Sequence, residues 1–191
     1  FVMTASESYA DWFHKTYGIE RPVVVQNFPL KSGNPQDYSI VNSPKVIIYQ
    51  GVINPSRGLD KLIPEMHKIE NAELWIAGDG PKKKEFQELT KNLGLDDKVK
   101  FIGKILPEEL REITQQADVG LSIEEDNGLS YYFSMPNKIS DYIQARIPVV
   151  VSDFPEMKKV ADHFKAGEKI RDYNELAEKI QLVLNNGKHS Y

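Results

Sequence analysis

Two loop-like stretches of the sequence carry residue types that suit an anionic ligand. Residues 49–58 combine Gly51, where a ligand can approach the backbone closely, with Arg57, whose guanidinium can hold a phosphate through two hydrogen bonds. Loop arginines are most often only solvated, so this stretch alone does not establish a site. Gly78-Asp79-Gly80 lacks the third glycine of a dinucleotide fingerprint. We therefore interpret it as turn chemistry, in which glycine and aspartate supply positive φ and capping.

A third stretch, residues 134–151, combines an anion-binding pattern with a carboxylate. Ser134 is predicted to cap a helix, Lys138 falls in its first turn, and Asp141 lies three residues further on the same face. The positive end of the helix and the lysine suit a phosphate, and the carboxylate can accept hydrogen bonds from both hydroxyls of a ribose. The alternative is that Lys138 and Asp141 form only a surface ion pair.

The loop before this helix, residues 124–133, is acidic and then aromatic. Glu124 and Asn127 offer acceptors suited to sugar hydroxyls, although successive acids are more commonly a solvated turn. We expect no metal site, because no Asp-x-Asp or histidine spacing supports one. The sequence has no cysteine, its four histidines stand in no motif, and the catalytic residues stay undetermined.

The elements that position these stretches follow an alternating pattern. From Pro44 onward, short β-branched runs alternate with helical segments, which predicts a doubly wound α/β fold with a parallel sheet covered on both faces. In such a sheet, ligands bind outside the carboxyl ends of the strands, where the three stretches fall. Pro64 should kink the first predicted helix. The predicted strands are 45–50, 72–77, 99–102, 118–122 and 148–152, and the predicted helices are 58–68, 81–93, 107–117, 136–145, 155–163 and 174–185.

The first 43 residues have a different character. Residues 4–17 predict an aromatic amphipathic helix, residues 23–26 a strand, and residues 27–43 have linker composition. We interpret 1–43 as the end of a neighbouring domain with an interdomain linker, and 44–191 as the main domain; the alternative is an N-terminal helix of that same domain. Because Phe1-Val2-Met3 is typical of a strand end, we expect the natural chain to begin upstream.

Composition limits the class of protein. The chain has 191 residues, a net charge of −4 and no cysteine, which is typical of a globular domain without disulfides. The acidic balance argues against a nucleic-acid partner, which requires a basic face. No apolar run approaches the length of a membrane span. We expect a cytoplasmic protein; peripheral association with the inner face of the membrane stays open.

The order of several short motifs resembles the C-terminal, nucleotide-sugar-binding domain of GT-B glycosyltransferases of family 4, also called group 1. The opening also fits, because residues 2–7 and 25–29 resemble the last helix and the linker of that family's acceptor domain. The motifs of the main domain are Tyr49-Gln50-Gly51, Arg57-Gly58-Leu59-Asp60, Leu74-Trp75-Ile76-Ala77-Gly78-Asp79-Gly80-Pro81, Val99-Lys100-Phe101-Ile102-Gly103, Ala117-Asp118-Val119-Gly120-Leu121 and Ile147-Pro148-Val149-Val150.

The resemblance implies two facing Rossmann-like domains that transfer a sugar, with retention at the anomeric carbon, from a nucleotide diphosphate sugar to a carbohydrate or lipid-linked acceptor. It implies a hexosyltransferase of polysaccharide biosynthesis that needs no cofactor. The donor would bind mainly to the C-terminal domain and the acceptor to the N-terminal one. We therefore expect this chain alone to bind the donor and not to transfer its sugar.

The resemblance also assigns residues. Arg57 stands where the family's second basic residue binds the donor diphosphate, and Asp141 where the second glutamate of a paired-glutamate motif binds ribose. Lys104 and Ile105 follow the strand whose loop meets the base. Pro136-Asn137-Lys138 resembles a family variant in which a lysine enters the phosphate end of the helix. We thus expect Gly51, Arg57, Ser134 and Lys138 at the phosphates, and Glu124 or Asn127 at the sugar.

Two positions depart from the family pattern and keep other functions open. Val52 stands where many members have their first basic residue, and Phe133 replaces the first glutamate, eight positions before Asp141. One alternative is a GT-B sugar-nucleotide epimerase, which shares the fold and would bind the same donor class. Another is a non-catalytic scaffold that binds no nucleotide. A dehydrogenase fits less well, because the glycine fingerprint and its ribose-binding acid are not arranged around the first strand.

Overall fold

A parallel β-sheet forms the centre of the computed structural model, which describes residues 1–29 and 43–191. The strands lie in the order β5-β4-β3-β6-β7-β8, and every neighbouring pair is parallel. The doubly wound fold predicted from the alternating pattern is confirmed. The strands of this sheet are β3 (Lys45–Gln50), β4 (Ala72–Ala77), β5 (Val99–Gly103), β6 (Val119–Ser122), β7 (Val149–Ser152) and β8 (Gly167–Ile170).

Helices cover both faces of the sheet and bury two cores. Alternate side chains of β3 point to opposite faces, so Ile47 and Tyr49 join one core and Val46 and Ile48 the other. The first core lies under α2, α3 and α8, and the second under α4, α6 and α7. The helices are α2 (Leu59–Glu65), α3 (Lys83–Asn92), α4 (Pro107–Gln116), α5 (Leu129–Tyr132), α6 (Asn137–Gln144), α7 (Pro155–Phe164) and α8 (Leu176–Asn186).

Prolines set several helix boundaries. Pro107 and Pro155 open α4 and α7 at the first turn, where their missing N–H is not needed. Pro64 lies inside α2, which ends one residue later instead of continuing to residue 68 as predicted. None of the described helices is long and apolar enough to cross a membrane.

The N-terminal residues form a separate small element group: β1 (Met3–Thr4), α1 (Glu7–Tyr17) and β2 (Val23–Val24). Strand β1 pairs in parallel with β2, and Ser6 caps α1 by accepting a hydrogen bond from the backbone N–H of Tyr9. Most of the predicted linker, residues 30–42, lies outside the described residues. The division of the chain at residue 43 therefore stays a prediction.

Helix α1 packs against α7. Glu156 accepts a hydrogen bond from the backbone N–H of Ser8 at 3.0 Å, and Lys159 donates to the Ser8 hydroxyl at 3.0 Å. Tyr9 stacks on Phe133 with ring centroids 5.7 Å apart. These contacts hold the N-terminal residues beside the loop that follows β6.

Candidate donor-binding site

The chain reverses its direction of travel across the sheet between β3 and β6. From β3 it adds β4 and β5 on one side, then returns to place β6 on the other side. The loops after β3 and β6 thus leave in opposite directions and open a crevice at the carboxyl ends of the strands. Side chains from the loop after β3, the loop after β6 and helix α6 meet at this crevice.

Tyr142 of α6 occupies the gap where β3 and β6 diverge. The two strands pair only through Ile47–Val119 and Ile48–Gly120. Beyond these pairs, the phenol oxygen of Tyr142 accepts the backbone N–H of Gln50 at 3.1 Å and lies 3.2 Å from the carbonyl of Leu121, to which it can donate. The hydroxyl replaces the missing strand pairing and fixes α6 over the crevice.

Gly120 makes room for this arrangement. A Cβ at Gly120 would lie 2.4 Å from the ring of Tyr142, so any other residue would push α6 away from β6. The glycine in the motif Ala117-Asp118-Val119-Gly120-Leu121 is thus a packing requirement of the helix that carries Lys138 and Asp141.

A second glycine brings the loop after β3 to the loop after β6. Gly58 precedes α2 with φ 73°, a left-handed conformation that glycine adopts without strain. A Cβ there would lie 2.3 Å from the carbonyl oxygen of Ile123. This close approach places the neighbouring Arg57 beside Glu124.

The carboxylate of Glu124 lies at the centre of the site. Its Oε1 receives Nζ of Lys138 at 2.7 Å and Nη1 of Arg57 at 3.4 Å, and its Oε2 accepts from the Ser122 hydroxyl at 2.8 Å. The Glu124 side chain is 0% exposed and that of Lys138 9%. Two cations in contact with one carboxylate leave an excess of positive charge facing the crevice.

Opposing effects set the protonation of this buried pair. Burial raises the pKa of Glu124, but Lys138, Ser122 and Arg57 together outweigh it and hold that pKa below the ordinary glutamate value. Burial lowers the pKa of Lys138, and Glu124 offsets only part of this effect. The carboxylate is therefore ionised at neutral pH and acts as the counter-ion of the lysine.

Aromatic rings complete the walls around the two cations. Nζ of Lys138 lies 4.3 Å from the ring centroid of Tyr49, and the guanidinium carbon of Arg57 lies 5.4 Å from that of Tyr131. Tyr49 in turn donates its hydroxyl to the carbonyl of Val52 at 2.9 Å, which fixes the loop after β3. The rings attract the cations through their negative faces and restrict their orientations.

Asp141 lies on α6 and contacts β3. Its Oδ2 accepts a hydrogen bond from the side-chain amide of Gln50 at 2.9 Å, and no described residue donates to its Oδ1. Burial raises the pKa of Asp141, and the bond from Gln50 partly offsets this. One carboxylate oxygen is thus held by the protein, while the other has no protein partner in the described residues.

The structure corrects several expectations. Lys138 and Asp141 do not form a surface ion pair, because Lys138 is buried against Glu124. Ser134 does not cap α6: its hydroxyl donates to the carbonyl of Tyr131, and α6 begins after Pro136 without a side-chain cap. The backbone N–H of Gly51 donates to the carbonyl of Ala77, so it cannot serve a phosphate.

The acidic loop is partly buried rather than a wholly solvated turn. Glu124 lies beneath Arg57 and Lys138, with no exposed side-chain surface on which to meet a sugar. Asn127 is exposed, and its amide donates to the hydroxyl of Ser56 at 2.9 Å. Of the two residues expected at the sugar, only Asn127 is open to solvent.

Lys104 and Ile105 follow β5, at the same edge of the sheet as the crevice but two strands away from β3. Lys104 is exposed and Ile105 half-buried. The structure thus brings Arg57, Lys138 and Glu124 into contact and Asp141 onto the same helix as Lys138, while Lys104 and Ile105 line the far end of the edge.

Comparison with known families decides the class. The model of the glycosyl transferases group 1 family matches residues 31–190. The chain belongs to this family. Curated relatives include an uncharacterized glycosyltransferase of Methanocaldococcus jannaschii, 31% identical over 124 residues, and the lipopolysaccharide core biosynthesis glycosyltransferase LpsD of Rhizobium meliloti, 38% identical over 58 residues. These matches cover 62% and 30% of this chain but only 30% and 17% of those relatives.

Solved structures confirm the GT-B fold of this group 1 glycosyltransferase. Anabaena Alr3699/HepE in complex with UDP has a TM-score of 0.79 at 19% identity, over 97% of this chain and 54% of that one. TarM of S. aureus has a TM-score of 0.77 at 19% identity, over 97% of this chain and 37% of that one. The match of the chain to part of each larger protein fits the C-terminal domain of the GT-B architecture.

Sequence reasoning missed three side chains of this group 1 glycosyltransferase that hold the site together: Gln50, Thr114 and Tyr142. Thr114 of α4 is buried and donates to the side-chain carbonyl of Gln50 at 2.8 Å. A polar glutamine at the end of an otherwise apolar buried strand was the available signal, since buried polar side chains require partners.

Proposed function

We propose that this chain binds the nucleotide diphosphate sugar donor of a glycosyltransferase in the crevice between β3 and β6. The observation that carries the proposal is the convergence of Arg57 and Lys138 on Glu124 at the carboxyl edge of the sheet. Buried or half-buried cations held side by side suit a diphosphate, whose charge they can share. The complex of the Anabaena neighbour with UDP supports the same ligand class.

In this proposal, the diphosphate lies against Arg57, Lys138 and the N-terminus of α6. The backbone N–H groups of the first helical turn and the helix dipole add to the attraction. When the bond between sugar and diphosphate breaks, negative charge grows on the departing phosphate. The preorganised cations then stabilise that charge, which lowers the barrier to transfer.

The remaining donor groups lie on either side of the diphosphate. Asp141 accepts the ribose hydroxyls through its Oδ1, while the base extends along the sheet edge toward Lys104 and Ile105. Asn127 lies on the exposed loop after β6 and contacts the sugar. Glu124 lies behind the cations and orients them, so its effect on the sugar is indirect.

The whole protein would pass the sugar to a carbohydrate or lipid-linked acceptor with retention at the anomeric carbon. Purified full-length protein, supplied with its donor and an acceptor sugar, should then give a product with the donor's anomeric configuration in its NMR spectrum. A product of inverted configuration contradicts the retaining reaction and leaves donor binding standing.

Donor binding is tested by calorimetric titration of the 191-residue chain with UDP, GDP and their sugars. We expect one nucleotide to bind, and Arg57→Ala and Asp141→Ala each to weaken it about tenfold or more, since a hydrogen bond to a charged group contributes about 1.5–3 kcal/mol.

Matched controls come from charged residues away from the crevice. Arg21 pairs with Asp11 in the N-terminal residues, and Asp162 pairs with Lys169 on the surface. Arg21→Ala and Asp162→Ala should leave the affinity within twofold of wild type. Equal losses in both sets of variants, or no binding of any nucleotide, would count against the site and favour the non-catalytic scaffold.

A further inference from the structure

A buried chain of polar side chains runs from α4 through β3 to Asp141. The Thr114 hydroxyl lies 2.8 Å from Oε1 of Gln50, and Nε2 of Gln50 lies 2.9 Å from Oδ2 of Asp141. Thr114 is 1% exposed and Gln50 3% exposed, so neither can exchange its partner for water. The chain joins a helix remote from the crevice to the carboxylate proposed to bind ribose.

The donor direction of each bond follows from the end group. An ionised carboxylate only accepts, so Gln50 must turn its Nε2 toward Asp141 and its Oε1 toward Thr114. The Thr114 hydroxyl has one hydrogen and lies near two acceptors, Oε1 of Gln50 and the carbonyl of Leu110 at 2.7 Å. Only donation to Gln50 satisfies the buried amide oxygen, and this choice locks the amide orientation.

The backbone of Gln50 is fixed as well. Its N–H donates to the phenol oxygen of Tyr142, the residue that follows Asp141 on α6. Side chain and main chain of Gln50 therefore grip two consecutive residues of one helix. A glutamine used only to fill the core would not need polar partners on two other elements.

We propose that Gln50 and Thr114 are positioning residues that hold the Asp141 carboxylate in one orientation, with Oδ1 toward a ligand diol, and thereby set a preference for ribonucleotides over deoxyribonucleotides. This inference rests on the proposed donor site. A carboxylate held at one oxygen presents the other at a fixed angle, and a free carboxylate would rotate and accept a single hydroxyl almost as well.

The test compares the affinities of UDP or GDP, whichever the wild-type chain binds, with that of its 2′-deoxy counterpart. Wild type should prefer the ribonucleotide. Gln50→Leu and Thr114→Val should each reduce the preference about tenfold, through weaker binding of the ribonucleotide and little change for the deoxynucleotide. Thr114→Ser keeps the hydroxyl and should retain the wild-type ratio.

Thr90 supplies a matched control. It is also a buried helical threonine, but its hydroxyl donates to the carbonyl of Phe86 in its own helix, α3. Thr90→Val should change the unfolding midpoint as Thr114→Val does, while the ribose preference stays at the wild-type ratio. A merely structural role of Thr114 predicts the same ratio for both valine variants.

A second readout does not need a nucleotide. The bond from Gln50 lowers the pKa of Asp141, so its loss in Gln50→Leu should shift the NMR titration of that carboxyl to higher pH. An unshifted titration overturns the positioning role.

The remaining outcomes separate the two proposals. A wild type that binds the nucleotide while both variants keep its ratio overturns the ribose preference and leaves the donor site standing. A wild type that binds no nucleotide overturns the donor site together with the preference.

Discussion

Glu124 shows how one residue can organise a site without meeting the ligand. Its carboxylate holds Lys138 and Arg57 within hydrogen-bonding or ion-pair distance, and its side chain has no exposed surface. Removing one member of a buried ion pair leaves the partner charge uncompensated, which typically costs about 3–5 kcal/mol. Glu124 should therefore contribute both to stability and to the geometry of the cations.

We expect Glu124→Gln to lower the free energy of unfolding at pH 7 by about 3 kcal/mol. Because the folded-state pKa of Glu124 lies below the ordinary value, its ionised form stabilises the fold above that value, and this stabilisation is lost as the pH falls through the lowered pKa. Urea unfolding of wild type and variant should give curves that differ most at neutral pH and converge in acid.

Glu85 provides the comparison for this experiment. It pairs with Lys82 on the surface, with its side chain 59% exposed. Glu85→Gln should change the free energy of unfolding by less than about 1 kcal/mol, as is usual for exposed pairs. Equal effects of the two substitutions would show that Glu124 is not a buried counter-ion.

At the scale of elements, helix α6 carries both Lys138 and Asp141, so its distance from the sheet determines the site. The ring of Tyr142 fills the space above Gly120, and its hydroxyl joins β3 to β6. A small displacement of α6 would change the positions of both charged side chains together.

Gly120→Ala places a methyl group where the Tyr142 ring now lies and should displace α6. We expect a destabilisation of about 1–3 kcal/mol, typical of overpacking, together with weaker nucleotide binding. Chemical unfolding and calorimetric titration measure the two effects. Affinity equal to wild type in the folded variant would mean that the placement of α6 does not control the site.

The elements themselves were largely predictable from sequence. Strands β3 and β4 have the predicted bounds because β-branched runs between turn residues leave little choice. Strand β8 was missed, since Gly167-Glu168-Lys169-Ile170 holds two charges and a single β-branched residue. As an edge strand, it tolerates this composition because one side of it lies next to no other strand of the sheet.

The site was predictable only where a residue type implied its chemistry. Arg57, Lys138 and Asp141 follow from charge and position, but the contacts around Glu124 and Gln50 depend on long-range packing. Glu124 is 67 residues from Arg57 in sequence and Gln50 is 91 residues from Asp141. Such pairs leave no periodic signal in a single sequence.

For the whole molecule, the N-terminal residues and the main sheet differ in how firmly they are held. Helix α1 is tied to α7 by hydrogen bonds at Ser8 and by the stacking of Tyr9 on Phe133. The main sheet, in contrast, buries a core on each face. Regions with few buried contacts open at lower free energy than the core.

The two tryptophans allow this difference to be measured, because Trp12 lies on α1 and Trp75 on β4. We expect the fluorescence of Trp12, followed in a Trp75→Phe variant, to change at a lower denaturant concentration than that of Trp75 in a Trp12→Phe variant. Far-UV circular dichroism of both variants checks that the replacements themselves leave the main transition in place. Coincident fluorescence midpoints would instead indicate one cooperative unit.

The carboxylate beneath the two cations also determines how the protein meets dissolved ions. Arg57 and Lys138 already have a fixed counter-charge, so chloride or free phosphate gains little by collecting there. At physiological ionic strength, charges more than about 8 Å apart are screened, while contacts as short and buried as that of Lys138 with Glu124 are affected far less. Nucleotide affinity should accordingly vary less with salt than that of a protein that gathers phosphate on an open basic surface.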